Sequence, residues 1–203
     1  TVRIANPGGE STELEDVVQV DAGRDHACAV REDGEVVCWG DNDRGRLGDG
    51  TTVSRSRAVP VFSSDTTKLE DVVAVAAGDW PSCAVHGDGA VSCWGPIGRS
   101  GATSITDVPS RDYAEPVSSL AGVMDVGVGY LGACAVTEDG AVHCWGTNDR
   151  GALGIGSTDP DAFVDRAAGQ HHTHQASPVI AARILVDARG AAELPHGNDH
   201  HLF

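Results

Sequence analysis

The residues best suited to carry out chemistry are six cysteines arranged in three pairs. The members of each pair stand ten positions apart in one repeated phrase: CAVREDGEVVCWG at 28–40, CAVHGDGAVSCWG at 83–95 and CAVTEDGAVHCWG at 134–146. Paired cysteines can form a disulfide, bind zinc, act in redox catalysis or stay buried as thiols. The spacing excludes a catalytic CxxC, and zinc favours closer pairs with further ligands.

A turn signal between the cysteines predicts how they face each other. In the first copy, the segment 32–34 (Glu-Asp-Gly) predicts a type I turn followed by a left-handed glycine, which closes a hairpin on Arg31 and Glu35. Pairing outward from that turn sets Cys28 opposite Cys38. If the closing pair is hydrogen-bonded, the cysteines occupy a non-hydrogen-bonded site, where Cβ atoms approach closely enough for a disulfide.

The same arithmetic sets Cys83 opposite Cys93 and Cys134 opposite Cys144. Three agreeing copies favour three structural disulfides, although buried thiol pairs remain the alternative. Each disulfide would close a short loop, worth about 2.5 to 3 kcal/mol in the chain-entropy model. Because disulfides depend on an oxidising compartment, the pairs predict an extracytoplasmic address: secreted, periplasmic or cell-surface.

Histidines near the end of the chain are the second chemical candidate. They are His171, His172 and His174 in GQHHTHQ, followed by His196, His200 and His201. Imidazoles at this spacing could hold zinc, nickel or copper. The alternative is a histidine-rich loop insertion at about 159–176, and no carboxylate or cysteine motif accompanies it. We therefore expect no bound metal and no cofactor.

Other motifs indicate structure more than catalysis. The chain lacks G-x-S-x-G, H-E-x-x-H and a phosphate-binding P-loop, so we expect no catalytic residues and no enzyme. The tryptophans beside the cysteines are expected in the core; they are Trp39, Trp94 and Trp145. Trp80 lies in the loop before the second hairpin, where it could either anchor a protein partner or be buried.

The elements around each hairpin form a repeat. A valine-rich run precedes each one, at 16–23, 71–78 and 123–129, and a fourth strand is expected at 57–62, 114–120 and 177–186. Four strands per unit, with first cysteines 55 and then 51 positions apart, are typical of propeller blades. The composition, with abundant glycine, few aromatics and no helical periodicity, also indicates an all-β fold.

Several spaced motifs resemble the repeat of the RCC1 (regulator of chromosome condensation) family. They are V-V-x-V-x-A-G, H-x-C-A-V, D-G-x-V-x-C-W-G and N-D-R-G-x-L-G, and they cover about residues 16–203. The cysteine-bearing version is similar to repeats of bacterial secreted or cell-surface proteins. The resemblance implies a β-propeller, usually of seven blades, in which each sequence repeat contributes strands to two neighbouring blades.

We therefore expect one all-β domain over 1–203: a partial propeller of about three to four four-stranded antiparallel blades. The repeats are placed at about 16–70, 71–122 and 123–186, with a truncated fourth at 187–203 in which Gly197 and His200 align with Gly23 and His26. Open blades expose unpaired edges. Closure is therefore expected from the missing repeats of a longer chain or from another subunit.

Charge limits the possible partners. The 203 residues carry a formal charge of −16, from 30 acidic and 14 basic residues, which disfavours nucleic acid and anionic membranes. No apolar run reaches the roughly 18 residues needed to span a bilayer. The chain begins at Thr1 without a signal-peptide pattern, so a processed or excised segment is expected.

The leading functional prediction is a non-enzymatic extracytoplasmic module that binds a protein, such as an inhibitor or an adhesion-type surface protein. The partner's identity is not written in the sequence. One alternative is a regulator similar to a guanine-nucleotide exchange factor, which the founding family member implies. Another is a metal-binding or enzymatic site built from the late histidines.

Overall fold

Three consecutive antiparallel sheets, here called blades 1 to 3, make up most of the described part of the chain. The computed structural model describes residues 1–5, 11–97, 110–118, 120–148 and 150–158. The expected histidine-rich insertion, the fourth strand at 177–186 and the fourth repeat at 187–203 lie outside the described residues.

The chain first forms a short pair of strands, β1 (Arg3–Ala5) and β2 (Ser11–Glu13). The strands of blade 1 are β3 (Val17–Ala22), β4 (His26–Arg31), β5 (Val36–Gly40) and β6 (Arg55–Pro60). A small hairpin follows, formed by β7 (Phe62–Ser64) and β8 (Thr67–Lys68). The strands of blade 2 are β9 (Val72–Ala77), β10 (Ser82–His86), β11 (Val91–Trp94) and β12 (Glu115–Pro116). The strands of blade 3 are β13 (Val123–Val128), β14 (Gly132–Thr137) and β15 (Val142–Gly146).

The predicted hairpin register is confirmed in all three blades. Cys28 pairs with Cys38, and the corresponding cysteines pair in blades 2 and 3. The Arg31 amide donates to the Glu35 carbonyl at 2.9 Å, which closes the turn as expected. Gly34 has φ 79°, the left-handed conformation that the three-residue loop requires.

The fourth strand differs from the expectation. In blade 1 it begins at Arg55, two positions early, and ends at Pro60, while Phe62 belongs to the separate β7–β8 hairpin. In blade 2 it shortens to Glu115–Pro116. Both strands end at a proline, and the amide that follows still bonds the neighbouring strand: Val61 donates to the Val36 carbonyl at 2.9 Å and Val117 to the Val91 carbonyl at 2.8 Å.

An additional strand pair, which the sequence did not lead us to expect, extends blade 1. Strand β1 pairs with β2 and, in parallel, with β6, where Ile4 lies opposite Ala58. The β1–β2 pair corresponds to the β7–β8 hairpin that precedes blade 2. The Leu14 amide donates to the Val2 carbonyl at 2.9 Å, and the equivalent Leu69 amide donates to the Val61 carbonyl at 2.9 Å. The opening segment therefore repeats a connection seen later in the chain.

The hydrophobic core lies between blades. In one cluster, Cys28, Val30 and Val36, on the side of blade 1 that faces blade 2, pack with Val75 and Trp94 of blade 2. A second cluster joins blade 2 to blade 3 in the same manner, with Trp145 packed against it. Trp94 is fully buried, whereas Trp39 is partly buried and packs against Ala29, Val37 and Ala58. The prediction of a core position is confirmed for Trp94, whereas Trp39 and Trp145 lie partly buried at the edges of their clusters.

Candidate binding faces

Three disulfides fix the hairpins whose ends form the candidate faces. Cys28–Cys38, Cys83–Cys93 and Cys134–Cys144 are bonded, with Cα separations of 4.1, 4.0 and 4.0 Å. Among the residues that the structure describes, no cysteine is left free. Each bond joins a facing pair, as the register predicts, and so rigidifies one hairpin per blade.

The tips of the three hairpins line up along one edge, which we call the tip face: residues 32–34, 87–89 and 138–140, with the residues that begin β9 and β13. The Val72 amide donates to the Gly34 carbonyl at 3.2 Å, and the Val123 amide donates to the Gly89 carbonyl at 2.9 Å. The tips of blades 1 and 2 are thus each bonded to the next blade. The tip face is therefore a continuous and well-supported surface.

Carboxylates dominate the tip face. Its exposed acidic side chains, with the neighbouring one that precedes β3, are Asp16, Glu32, Asp33, Asp71, Asp88, Glu138 and Asp139. The tip aspartates also cap their own turns, as their recurrence at the same position of each hairpin predicts. Asp33 accepts from the Glu35 amide at 3.0 Å, and Asp88 accepts from the Ala90 amide at 2.9 Å. In blade 3, the Thr137 hydroxyl and then the backbone lower the pKa of Asp139.

The cations beside these carboxylates are already engaged. Arg31 donates to Glu35 at 2.9 Å, and Lys68 bonds the other oxygen of the same carboxylate. The Glu35 hydrogen bond raises the pKa of Arg31. Between the tips of blades 1 and 2 lies a groove of about 500 Å³, whose floor includes Val73. The exposed acidic groups around it give this face a net negative charge.

The opposite edge, which we call the loop face, is built on stacked glycines. A Cβ on Gly23 would lie 2.0 Å from the Gly78 carbonyl oxygen, and one on Gly78 would lie 2.2 Å from that of Gly129. The Asp79 amide donates to Gly129 at 3.2 Å. Only glycine permits backbones to approach this closely. The three loops therefore form one tight column.

Trp80, the candidate partner anchor, lies half-buried at the loop face. The Arg46 guanidinium sits 4.1 Å from the centre of its ring, a cation–π contact between the long turn of blade 1 and the loop of blade 2. Arg46 is itself buried and pairs with Asp41 at 3.2 Å. The contact gives Trp80 a role in joining the two blades. The role of Trp80 as a partner anchor stays a prediction.

His26 joins the same two blades. Its Nε2 lies 2.8 Å from the Ser82 hydroxyl, and its ring is 5% exposed. Burial, and then the nearby Arg46 charge, lower the pKa of His26 from 6.5 to about 4. Its Nδ1 has no hydrogen-bond partner among the described residues. His26 is therefore a neutral packing residue at ordinary pH.

Sequence reasoning missed Asn42, which organises the long turn of blade 1. Its fully buried amide donates to Asp49 at 2.9 Å and to Thr51 at 3.0 Å, and its oxygen accepts from the Leu47 amide at 2.9 Å. Asn148 accepts from Leu153 in the third repeat in the same way, at 3.1 Å. The N-D-R-G motif, which recurs at 42–45 and 148–151, is the sequence signal from which this turn could have been predicted.

The described residues can also be compared with what a metal site or a membrane span requires. Within the described ranges, no group of three or more His, Cys, Asp or Glu side chains is arranged to hold a metal ion. The candidate ligands His171, His172 and His174 lie outside those ranges. In the same part of the chain, no helix is long and apolar enough to cross a membrane.

Three successive blades, with hydrophobic clusters between them and closely packed loops, define a β-propeller repeat protein. The family profile described as "Regulator of chromosome condensation (RCC1) repeat" matches residues 17–46 and 124–152, and a second profile of that description matches 33–85. The chain is an RCC1-like repeat protein.

Relatives and solved structures agree with this identification. Regulator of chromosome condensation from Mus musculus is 33% identical over 160 residues, covering 77% of this chain and 36% of the relative. The E3 ubiquitin-protein ligase HERC2 from Homo sapiens is 39% identical over 144 residues, covering 66% of this chain and 3% of HERC2. The chain thus spans about a third of the first relative's length and a small part of the second's.

Among solved structures, the chain is similar in fold to the yeast protein in the crystal structure of Kap60 bound to yeast RCC1 (Prp20). Its TM-score is 0.60 at 19% identity, with 75% of this chain and 37% of the other chain covered. At this identity the likeness shows the fold alone. In that crystal structure the yeast protein is bound to Kap60.

Proposed function

We propose that this chain is a non-enzymatic, extracytoplasmic protein-binding module whose tip face binds a basic patch on a partner protein. The observation that carries the proposal is the row of exposed carboxylates held by rigid, hydrogen-bonded hairpin tips. Such a field attracts basic surfaces and accelerates their encounter. The tips bind as a preformed surface, so little ordering entropy opposes association.

Localisation outside the cytoplasm rests on the three disulfides. Each joins a predicted facing pair, and three such bonds in one small domain are typical of oxidising compartments. Fractionation of the producing cells, with an antibody against this chain, tests the address. Recovery in the secreted, periplasmic or surface fraction is expected. Recovery with cytoplasmic markers would contradict the proposed address.

The binding test compares two triple variants of equal charge change. Glu32→Gln, Asp71→Asn and Glu138→Gln neutralise the tip face without removing the aspartates that cap the turns. A matched control neutralises three exposed carboxylates away from the tips: Glu13→Gln, Asp43→Asn and Glu115→Gln. The probe is an immobilised peptide rich in arginine and lysine at low ionic strength.

We expect the tip variant to bind this probe at least about five-fold more weakly than wild type, while the control changes about two-fold or less. Equal losses in both variants would show that net charge, and not the tip face, drives binding. Added salt should weaken wild-type binding and leave the tip variant less affected, because exposed charges are screened.

We also propose that further blades, from a longer chain or another subunit, cover the two outer sides of this stack. Val75 and Val126 are 2% and 7% exposed, but their equivalent in blade 1, Val20, is 60% exposed. At the other end, Val142 is 68% exposed, whereas the equivalent Val36 is fully buried. The exposed valines therefore occupy positions that are buried between blades elsewhere in the stack. Native mass spectrometry of the natural protein would reveal a larger chain or an oligomer, and a monomer of this mass would oppose closure.

An exchange factor acting on a small GTPase is the second candidate, because the 33% identical relative is a regulator of chromosome condensation. The disulfides argue against a nuclear setting. Release of a labelled guanine nucleotide from a panel of small GTPases separates the candidates. Accelerated release would replace the proposed function, whereas an unchanged rate beside retained peptide binding would support it.

A further inference from the structure

Each blade carries the same β-bulge in its first strand. In β3, Val17 and Gln19 lie opposite consecutive residues of β4, so Val18 is an extra residue in the ladder. The register of β9 and of β13 shifts in the same way. A β-bulge re-aims a side chain of the strand, and a bulge repeated at one position in three blades re-aims three of them alike. The extra residues, which we call the bulge row, are Val18, Val73 and Met124.

The side chains of the bulge row are all apolar and exposed. Val18 is 60% exposed, Val73 53% and Met124 57%. Val73 belongs to the middle blade, which packs against a neighbour on either side, so its exposure does not come from an end of the stack. Val75, two positions further along β9, is 2% exposed because it packs against blade 1. Blades added at either end would therefore extend the bulge row and not cover it.

Backbone hydrogen bonds anchor the bulge row to the tip face. The residue two positions before each bulge is left-handed: φ is 58° at Asp16, 57° at Asp71 and 63° at Gly122. The carbonyls of these three residues accept hydrogen bonds from the hairpin tip of the same blade, at 2.8, 2.8 and 2.9 Å. The apolar row and the acidic tips thus form one supported surface.

Val73 places an apolar side chain on the floor of the groove between the tips of blades 1 and 2. Four carboxylates also line this groove: Glu32, Asp33, Asp71 and Asp88. An apolar floor between carboxylates is complementary to a segment in which an apolar side chain is flanked by cations. A second copy of this chain is a poor occupant, because its formal charge of −16 would be repelled.

We propose that the bulge row determines the specificity of the tip face, by selecting partner segments in which an apolar side chain is flanked by arginine or lysine. This inference rests on the proposed function, because the carboxylates supply the attraction for the basic residues. The partner's apolar side chain packs on the row and removes exposed valine and methionine surface from water. Charge alone attracts any basic segment, whereas the row discriminates among them.

Two immobilised peptides of equal charge test this selectivity. One consists of arginine, leucine and glycine, and in the other serine replaces every leucine. We expect the full 203-residue chain to bind the leucine peptide at least about five-fold more tightly. This preference should persist as salt is added, because salt screens the charges and not the apolar contact. Equal binding of both peptides would overturn this inference and leave the proposed function standing, whereas binding of neither would overturn both.

Two triple variants locate the preference. The row variant makes the bulge row polar: Val18→Thr, Val73→Thr and Met124→Gln. The matched control makes polar three exposed apolar side chains outside the tip face: Val53→Thr, Tyr130→Gln and Ile155→Thr. We expect the preference for leucine to fall to about two-fold or less in the row variant and to persist in the control. Loss of the preference in both variants, or in neither, would overturn the proposal.

A measurement on the wild-type chain does not depend on how the variants fold. Met124 is the one methionine of the sequence, so its methyl group gives a single NMR signal. The leucine peptide should shift this signal more than the serine peptide does, and an unmoved signal beside tight binding would overturn the proposal. Sedimentation of the chain alone tests the other occupant. Self-association that the row variant abolishes would assign the row to a second copy and contradict the proposed partner.

Discussion

The carboxamide of Gln19 hydrogen-bonds both backbone groups of Val75 across the boundary between blades 1 and 2. Its Nε2 donates to the Val75 carbonyl at 3.0 Å, and its Oε1 accepts from the Val75 amide at 2.7 Å. Asp21 accepts from the Ala77 amide at 2.8 Å in the same row. Side chains of blade 1 thus take the place of a further strand at the edge of blade 2, which satisfies groups that the sheet leaves open.

Replacing Gln19 tests the value of this bridge. We expect Gln19→Ala to lower the free energy of unfolding by about 1 to 3 kcal/mol, because two part-buried backbone groups lose their partners. Gln19→Glu keeps the acceptor for the Val75 amide but replaces the donor by a second oxygen that faces the Val75 carbonyl, so it should destabilise at least as much. Urea denaturation measures both variants. An unchanged midpoint in both would show that water replaces the bridge at no cost.

The glycine column predicts a sharp dependence on position. Gly78→Ala places a methyl group about 2.2 Å from the Gly129 carbonyl oxygen, so the loops must separate. We expect a loss of at least about 2 kcal/mol in the free energy of unfolding. Gly127→Ala is the matched control, because nothing lies within 4 Å of its added Cβ. Equal effects in thermal unfolding of the two variants would contradict the close stacking of the loops.

Protonation of His26 predicts a specific acid sensitivity. The pKa of His26 is lowered from its ordinary value of 6.5 to about 4 in the folded protein, so the unfolded state binds the proton more tightly. The stabilisation from the neutral ring is fully present above pH 6.5 and is lost as the pH falls toward 4. At about 1.4 kcal/mol per pKa unit, the loss reaches roughly 3 kcal/mol.

Urea denaturation at about pH 7.5 and pH 4.5 measures this loss. Acidic residues also titrate near the lower value, so the informative quantity is the difference between wild type and His26→Gln. The variant should show a smaller decrease in stability over this interval, because glutamine does not titrate. Parallel pH profiles for the two proteins would contradict a buried neutral histidine.

The Arg46–Trp80 contact predicts coupling between two repeats. Arg46→Lys keeps the charge but loses the planar group that stacks on the ring, and Trp80→Leu removes the ring while leaving an apolar side chain. We expect a double-mutant cycle on the free energy of unfolding to give a coupling of about 0.5 to 2 kcal/mol. Additive single-variant effects would show that the two side chains are neighbours without energetic contact.

The hairpins could be predicted from sequence because three local signals agree. The turn at 32–34 and its equivalents, the alternating valines and the equal cysteine spacing specify one register, and no distant partner is needed to choose it. The β1–β2 pair was missed because it carries no cysteine. Its signal was nevertheless present: STELED at 11–16 closely matches TTKLED at 66–71, which forms the corresponding connection.

The contacts between blades could not be predicted in the same way. Arg46 meets Trp80, and Gln19 meets Val75, only after the chain has folded into successive blades. Neither pair has a fixed spacing that repeats, since alanine occupies position 152 where arginine stands at 46, and position 74 where glutamine stands at 19. The faces therefore depend on tertiary packing, and only their turn residues are visible in the sequence.

Disulfide-stapled blades outside the reducing cytoplasm are tested by the intact mass of the protein isolated from its natural compartment. The sample is unfolded and alkylated with and without prior reduction. The three bonds predict no alkyl groups without reduction and six after it. Six alkyl groups without reduction would show free thiols in the native protein and would contradict both the staples and the extracytoplasmic address.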